Sequence, residues 1–137
     1  MNDYVPSIKV TLYMTANEFD FKEVTHRLGV TPTTTKRRDS FPPKSITAGT
    51  AKTIWALAVE ERNCIAVAIL FERMIELLRG KEALICEICN DYGLETRFEV
   101  VVHMQGEDAP EMVLHREVVS FAAAINADIG FDLYYYE

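Results

Sequence analysis

Cysteine is scarce in this chain of 137 residues: there are three, at no framework spacing, so disulfides do not hold it together. Glycine is sparse too. The six glycines stand singly, which excludes a glycine-rich loop that cradles phosphate. The longest apolar run covers only residues 64–71, far short of the roughly 20 residues that span a bilayer, and no membrane partner is expected. Basic residues are in deficit, 14 against 21 acidic ones for a net charge of −7, which argues against general nucleic-acid binding because affinity there comes from neutralising phosphates. His26, His103 and His115 are scattered, with neither a metal-ligand spacing nor a hydrolase signature around them. The opening Met1-Asn2-Asp3-Tyr4-Val5-Pro6 lacks the basic and apolar stretches of a secretory leader, so a cytoplasmic chain with reduced thiols is expected.

What the chain does carry is apolar surface: 49% hydrophobic and 26% charged residues, the balance of a soluble globular protein long enough to bury one core. One domain over residues 1–137 is expected, without linker or repeat. Charge is uneven along it. Across residues 36–52, Lys36, Arg37, Arg38, Lys44 and Lys52 stand against Asp39 alone, a basic loop on an acidic body.

Ile8, Val10, Leu12 and Met14 alternate with Lys9, Thr11 and Tyr13, the period of a half-buried strand over residues 7–14. Asn17 is positioned to cap a short helix that carries Phe21, Val24 and Leu28 on one face and stops at Gly29. Residues 30–49, with Pro32, Pro42 and Pro43, read as a long surface loop. In a strand over residues 53–59, Trp55, Leu57 and Val59 oppose Ile54, Ala56 and Ala58. From Asn63 to about Arg79, Val67, Leu70, Phe71, Met74, Ile75, Leu77 and Leu78 form a helical stripe ended by Gly80. Residues 83–90 and 96–105 read as a hairpin turning at Asp91-Tyr92-Gly93. A third helix covers about 115–126. In the closing strand Ile129, Phe131, Leu133 and Tyr135 alternate with Gly130, Asp132, Tyr134 and Tyr136. From residue 53 the order is β-α-β-β-α-β, the ferredoxin-like pattern, preceded by an extra β-α unit. The expected fold is α+β: a mostly antiparallel sheet of about five strands with three helices on one face.

The run Leu28-Gly29-Val30-Thr31-Pro32 closes the first helix; the basic loop, Trp55, the amphipathic helix, the 110–114 stretch and an acidic-aromatic last strand follow. Along nearly the whole chain this arrangement resembles the bacterial family catalogued as domain of unknown function 4279. The resemblance supports the α+β reading and implies no activity, cofactor or partner.

Three features invite chemistry. Cys86-Glu87-Ile88-Cys89 has the spacing of redox and zinc pairs. On an extended 83–90 segment, however, the two Cα atoms lie about 10 Å apart with the thiols on opposite faces, beyond the roughly 7 Å that a disulfide tolerates. They are therefore read as core cysteines, and no metal, cofactor or catalytic residue is assigned. Thr33-Thr34-Thr35-Lys36-Arg37-Arg38 combines hydroxyls with cations able to fork onto a phosphate or carboxylate. Thr34, Lys36, Arg37 and Arg38, with Trp55 to stack, make the candidate site for an anionic small molecule. The plainer alternatives are a solvated loop and a tryptophan that anchors its strand to a helix. Tyr134 and Tyr136 share the face opposite Tyr135, which is expected inward, and form the candidate interface. The leading expectation is a non-catalytic protein-interaction module, self-associating through its sheet face or an edge. A basic protein, neutralised as immunity proteins neutralise toxins, is a further partner suited to its charge. A ligand-sensing domain using the basic loop is the alternative, and an enzyme is the least supported reading.

Overall fold

Alternation along the first strand decides where the core lies. In the computed structural model, which describes residues 6–137, β1 (Ser7–Ala16) turns Ile8, Val10, Leu12 and Met14 to one side, each essentially without solvent exposure. The leader reading of residues 1–5 lies outside the described residues. β1 is the middle of a five-stranded sheet, antiparallel to β3 (Thr53–Arg62) on one flank and to β4 (Glu95–Gln105) on the other. Leu12 stands opposite Leu57 and Phe98, so matching apolar rows cross all three strands. The short β2 (Thr34–Lys36) pairs with β3, and β5 (Ala127–Tyr136) runs parallel to β4, giving the order β2-β3-β1-β4-β5.

Four helices cover one face. α1 (Phe21–Leu28) buries Val24 and Leu28, α3 (Val67–Leu77) buries Leu70, Phe71 and Met74, α4 (Glu82–Tyr92) buries Ile85 and Ile88, and α5 (Arg116–Ala124) buries Val118 and Phe121. All of these join one cluster with the inward residues of β1, β3 and β4. α2 (Pro43–Thr47) buries nothing. The opposite face, carrying Lys9, Thr11, Tyr13 and Thr15 of β1, receives none of the helices' buried residues.

The α+β class, the mostly antiparallel sheet and its strand number agree with the sequence reading. The ferredoxin-like order does not hold: from residue 53 the chain runs β-α-α-β-α-β, and among the described residues five α-helices replace the expected three. Residues 83–90 are the body of α4, so there is no hairpin with β4. The helix wins because Ile85 and Ile88 sit three apart, facing the core from adjacent turns, and because Gly93 at φ 66° closes the last turn by donating its N–H to Cys89 O. Part of the expected loop is structured as well, as β2, a 3-10 turn at Arg38–Ser40 and α2. Asp20, not Asn17, caps α1, accepting from the Lys22 N–H at 2.9 Å.

Side-chain bonds fasten the helices to the sheet and to one another. Trp55, fully buried on β3, donates its indole N–H to Thr25 Oγ1 on α1 at 3.0 Å, and that hydroxyl in turn donates to Phe21 O. Lys81, at the start of α4, donates to Leu28 O at 2.9 Å, where α1 leaves its carbonyls unpaired. Arg27 of α1 reaches Asp91 of α4 at 2.8 Å. Removing the acceptor for the buried indole N–H exposes one weight-bearing link: Thr25→Val is expected to lower unfolding free energy by about 1–3 kcal/mol, read in urea unfolding followed by the emission of Trp55. An unchanged midpoint would show that water replaces the hydroxyl.

Candidate functional site

The basic segment does not converge on one point. In β2, Thr34 and Lys36 stand opposite Ala56 and Ile54, while Thr35 stands opposite Trp55. Thr34 and Lys36 therefore share the uncovered face of the sheet, and the Lys36 ammonium lies 3.9 Å above the Phe41 ring. Arg37 turns the other way, its guanidinium 5.2 Å from the Phe21 ring of α1. The Arg38 backbone N–H is held by Thr53 Oγ1 at 3.0 Å. Arg37 and Arg38 do meet, with Lys22, in a cleft of about 570 Å³, but Glu18, Asp20 and Asp39 line it too. Trp55 takes no part, since full burial leaves its ring no surface for a ligand. Of the five candidate ligand residues, the fold thus brings together two.

The cysteine spacing changes meaning once 83–90 is helical. Three residues apart on α4, Cys86 and Cys89 lie on one face, so the divergence argument fails, and both thiols line a larger cleft of about 830 Å³ at the foot of the sheet. Tyr13, Thr15, Arg97 and Glu99 extend that cleft onto the uncovered face. Its chemistry is muted. Cys86 donates to Ala124 O at 3.0 Å, and burial, with a smaller contribution from Cys86, pushes the Cys89 thiol from its ordinary 9 up to about 11. Among the described residues no group of three or more His, Cys, Asp or Glu side chains is placed to hold a metal ion. Arg97 is paired with Glu99 at 2.9 Å and lies across Gly130, where a Cβ would overlap its guanidinium.

The closing strand presents the least expected surface. Among the described residues β5 is the edge of the sheet, pairing with β4 alone. Opposite the buried Val100, Val102 and Met104 of β4, its Phe131, Leu133 and Tyr135 face the helix side, yet they are 41%, 50% and 60% exposed. Tyr135 is thus on the inner side without being inside. The cause is length: nine residues of α5 reach about 14 Å, whereas ten residues of β5 reach about 33 Å, so cover runs out beyond the half-buried Ile129. On the other face Tyr134 and Tyr136 flank His103 of β4 in a stack, with ring centroids 4.8 and 5.9 Å away. The His103 ring nitrogen Nδ1 lies 2.9 Å from the Tyr136 hydroxyl, and Tyr134 donates to Asp132 at 2.9 Å, a bond that raises its phenol pKa. Comparing the two lengths in sequence would have found this apolar overhang, because alternation alone tells which way a residue faces and not what covers it.

The thiol environment is directly measurable. Iodoacetamide labelling of Cys89, followed by mass spectrometry in a Cys86→Ser background that leaves burial as the cause of the shift, is expected to stay slow at pH 8 and to rise with a midpoint above the ordinary 9. A midpoint at or below the ordinary 9 would mean that water reaches the sulfur freely.

Comparison with curated proteins and with solved structures returns no match. A family model described as domain of unknown function (DUF4279) matches residues 6–136. By that match over nearly its full length, the chain belongs to the DUF4279 family.

Proposed function

We propose that the chain is a non-catalytic protein-interaction module that binds by accepting a partner's strand along the outer edge of β5. One observation carries this reading: a ten-residue edge strand that leaves Phe131, Leu133, Tyr134, Tyr135 and Tyr136 all more than 40% exposed. An exposed strand edge offers a row of backbone donors and acceptors, and adjoining apolar side chains supply the area that makes strand addition favourable. Three tyrosines among those side chains fit the composition of binding surfaces. Burial moves ionisation of the Cys89 thiol still further above neutral pH, which makes it a poorer nucleophile than a free cysteine and supports binding over catalysis.

A second reading, an anion-binding role for Arg37 and Arg38, is favoured by one fact: neither guanidinium forms an ion pair among the described residues. The three acids in the same cleft make it the weaker of the two.

Phe131→Thr with Leu133→Thr keeps strand-forming side chains while removing the apolar overhang, and is expected to cost about 1 kcal/mol of stability at half-exposed positions. The parent chain is expected to associate with protein, detected by sedimentation for self-association and by affinity capture for other partners, and the double variant to lose at least tenfold in that affinity. Equal behaviour of parent and variant would remove β5 from the function. For the second reading, inorganic phosphate and sugar phosphates are expected to raise the melting temperature of the parent and not of Arg37→Ala/Arg38→Ala; no shift in the parent would dismiss it.

A further inference from the structure

Resting on the β5 reading, we infer that the strand accepted there is β5 of a second copy, antiparallel and centred on Leu133. Only some registers suit self-pairing. Centring on Leu133 sets Phe131 against Tyr135 of the second copy, Leu133 against its counterpart, and Asp132 against Tyr134. The three uncovered inner residues of each copy then cover one another, forming a continuous apolar row beyond the reach of α5. No carboxylate meets a carboxylate. Asp132, which already accepts a hydrogen bond from Tyr134 of its own strand, faces a second tyrosine hydroxyl. Gly130, whose open-face space is taken by the Arg97 guanidinium, stands against Tyr136.

The neighbouring registers do worse. Centring on Asp132 brings two like charges face to face, which is destabilising for directly opposed residues. Centring on Tyr134 drives Phe131 against Glu137. Centring on Phe131 sets Leu133 and Tyr135 against Ile129 and Ala127, residues already half-buried, and so leaves much of the overhang wet. The opposite edge of the sheet does not compete: β2 is three exposed residues long.

Charge separates a second copy from a basic partner. Two chains of net charge −7 repel, so their association strengthens as salt screens them, whereas binding of a basic protein weakens.

The test uses single cysteines in a Cys86→Ser/Cys89→Ser background, the remaining Cys64 being buried. In the inferred register the two residues at position 133 have Cα atoms roughly 4.5–5.5 Å apart, inside disulfide range. The two residues at position 131 are about 13 Å apart along the strands, outside it. Under mild oxidation Leu133→Cys is expected to yield mostly cross-linked dimer and Phe131→Cys only background. The parent chain, sedimented as a concentration series, is expected to dimerise more tightly at 0.5 M than at about 0.05 M salt. This second measurement needs no variant to fold. Linking through residue 131 in place of 133 overturns the register. A parent that stays monomeric across the series overturns the second copy as partner. If a monomeric parent still captures a protein that the Phe131→Thr/Leu133→Thr variant does not, the β5 reading stands without self-pairing; if capture is unaffected by those substitutions, both fall.

Discussion

The period-two register of β1 between two antiparallel neighbours is the constraint on which the molecule rests. Val10 and Leu12 meet apolar residues on β3 and on β4 at once, Ile8 meets Val102 of β4 and Met14 meets Trp55 of β3, so a slip of one residue against either neighbour would turn four buried side chains into water and bring Lys9, Thr11 and Tyr13 under the helices. Because β3 and β4 are both locked to β1, the positions of the outer strands follow. β2 hangs on β3 and carries the basic loop; β5 hangs on β4 and carries the tyrosines. The two regions that hold candidate functional residues therefore lie at opposite edges of one sheet, separated by three strands, and no single ligand of small size can engage both.

The helical layer sorts the remaining chemistry. α1 and α4 are tied by Arg27 with Asp91 and by Lys81 with the end of α1, which fixes the face of α4 that bears the cysteines. Thr96, buried at the start of β4, donates to the carbonyl of Ile125 at 3.0 Å and so satisfies the last turn of α5. Thr96 and Ile125 line the cleft at the foot of the sheet, where Arg97 and Glu99 are likewise engaged with each other. Its cysteines are accordingly side by side yet subdued, one donating to a backbone carbonyl and the other made harder to ionise by desolvation.

Much of this was legible in the residues. Unbroken alternation gave away β1, β3, β4 and β5, and the wide stripe from Val67 gave away α3. Residues 83–90 misled because a short apolar run satisfies both periods: Leu84, Cys86 and Ile88 suit an extended strand, while Ile85 and Ile88 suit a helix, and only packing chooses. That one misassignment also reversed the geometry of the two thiols. The expected number of strands survived by compensation, since residues 83–90 left the sheet and Thr34–Lys36 joined it. β2 was invisible because its three side chains are exposed and backbone pairing alone recruits it. For the candidate site, Tyr134 and Tyr136 were found on the face opposite Tyr135, and Trp55 anchors its strand to a helix as its plainer reading had it, but Lys36 faces away from Arg37, an orientation that depends on a pairing no local pattern discloses.

The inequality of the two sheet edges has one more consequence. If copies pair as inferred, a long exposed border on one side and a stub on the other would let them join head to head but not head to tail. Such a contact would be isologous: it would consume the one long exposed border that each molecule has among the described residues and close at two, where a sheet with two equal borders would grow into a fibre. Asp132, set midway along the adhesive border, adds a gatekeeping charge that penalises shifted stacking. Pairing of that kind would leave the chain an uncovered strand without the hazard of unlimited polymerisation.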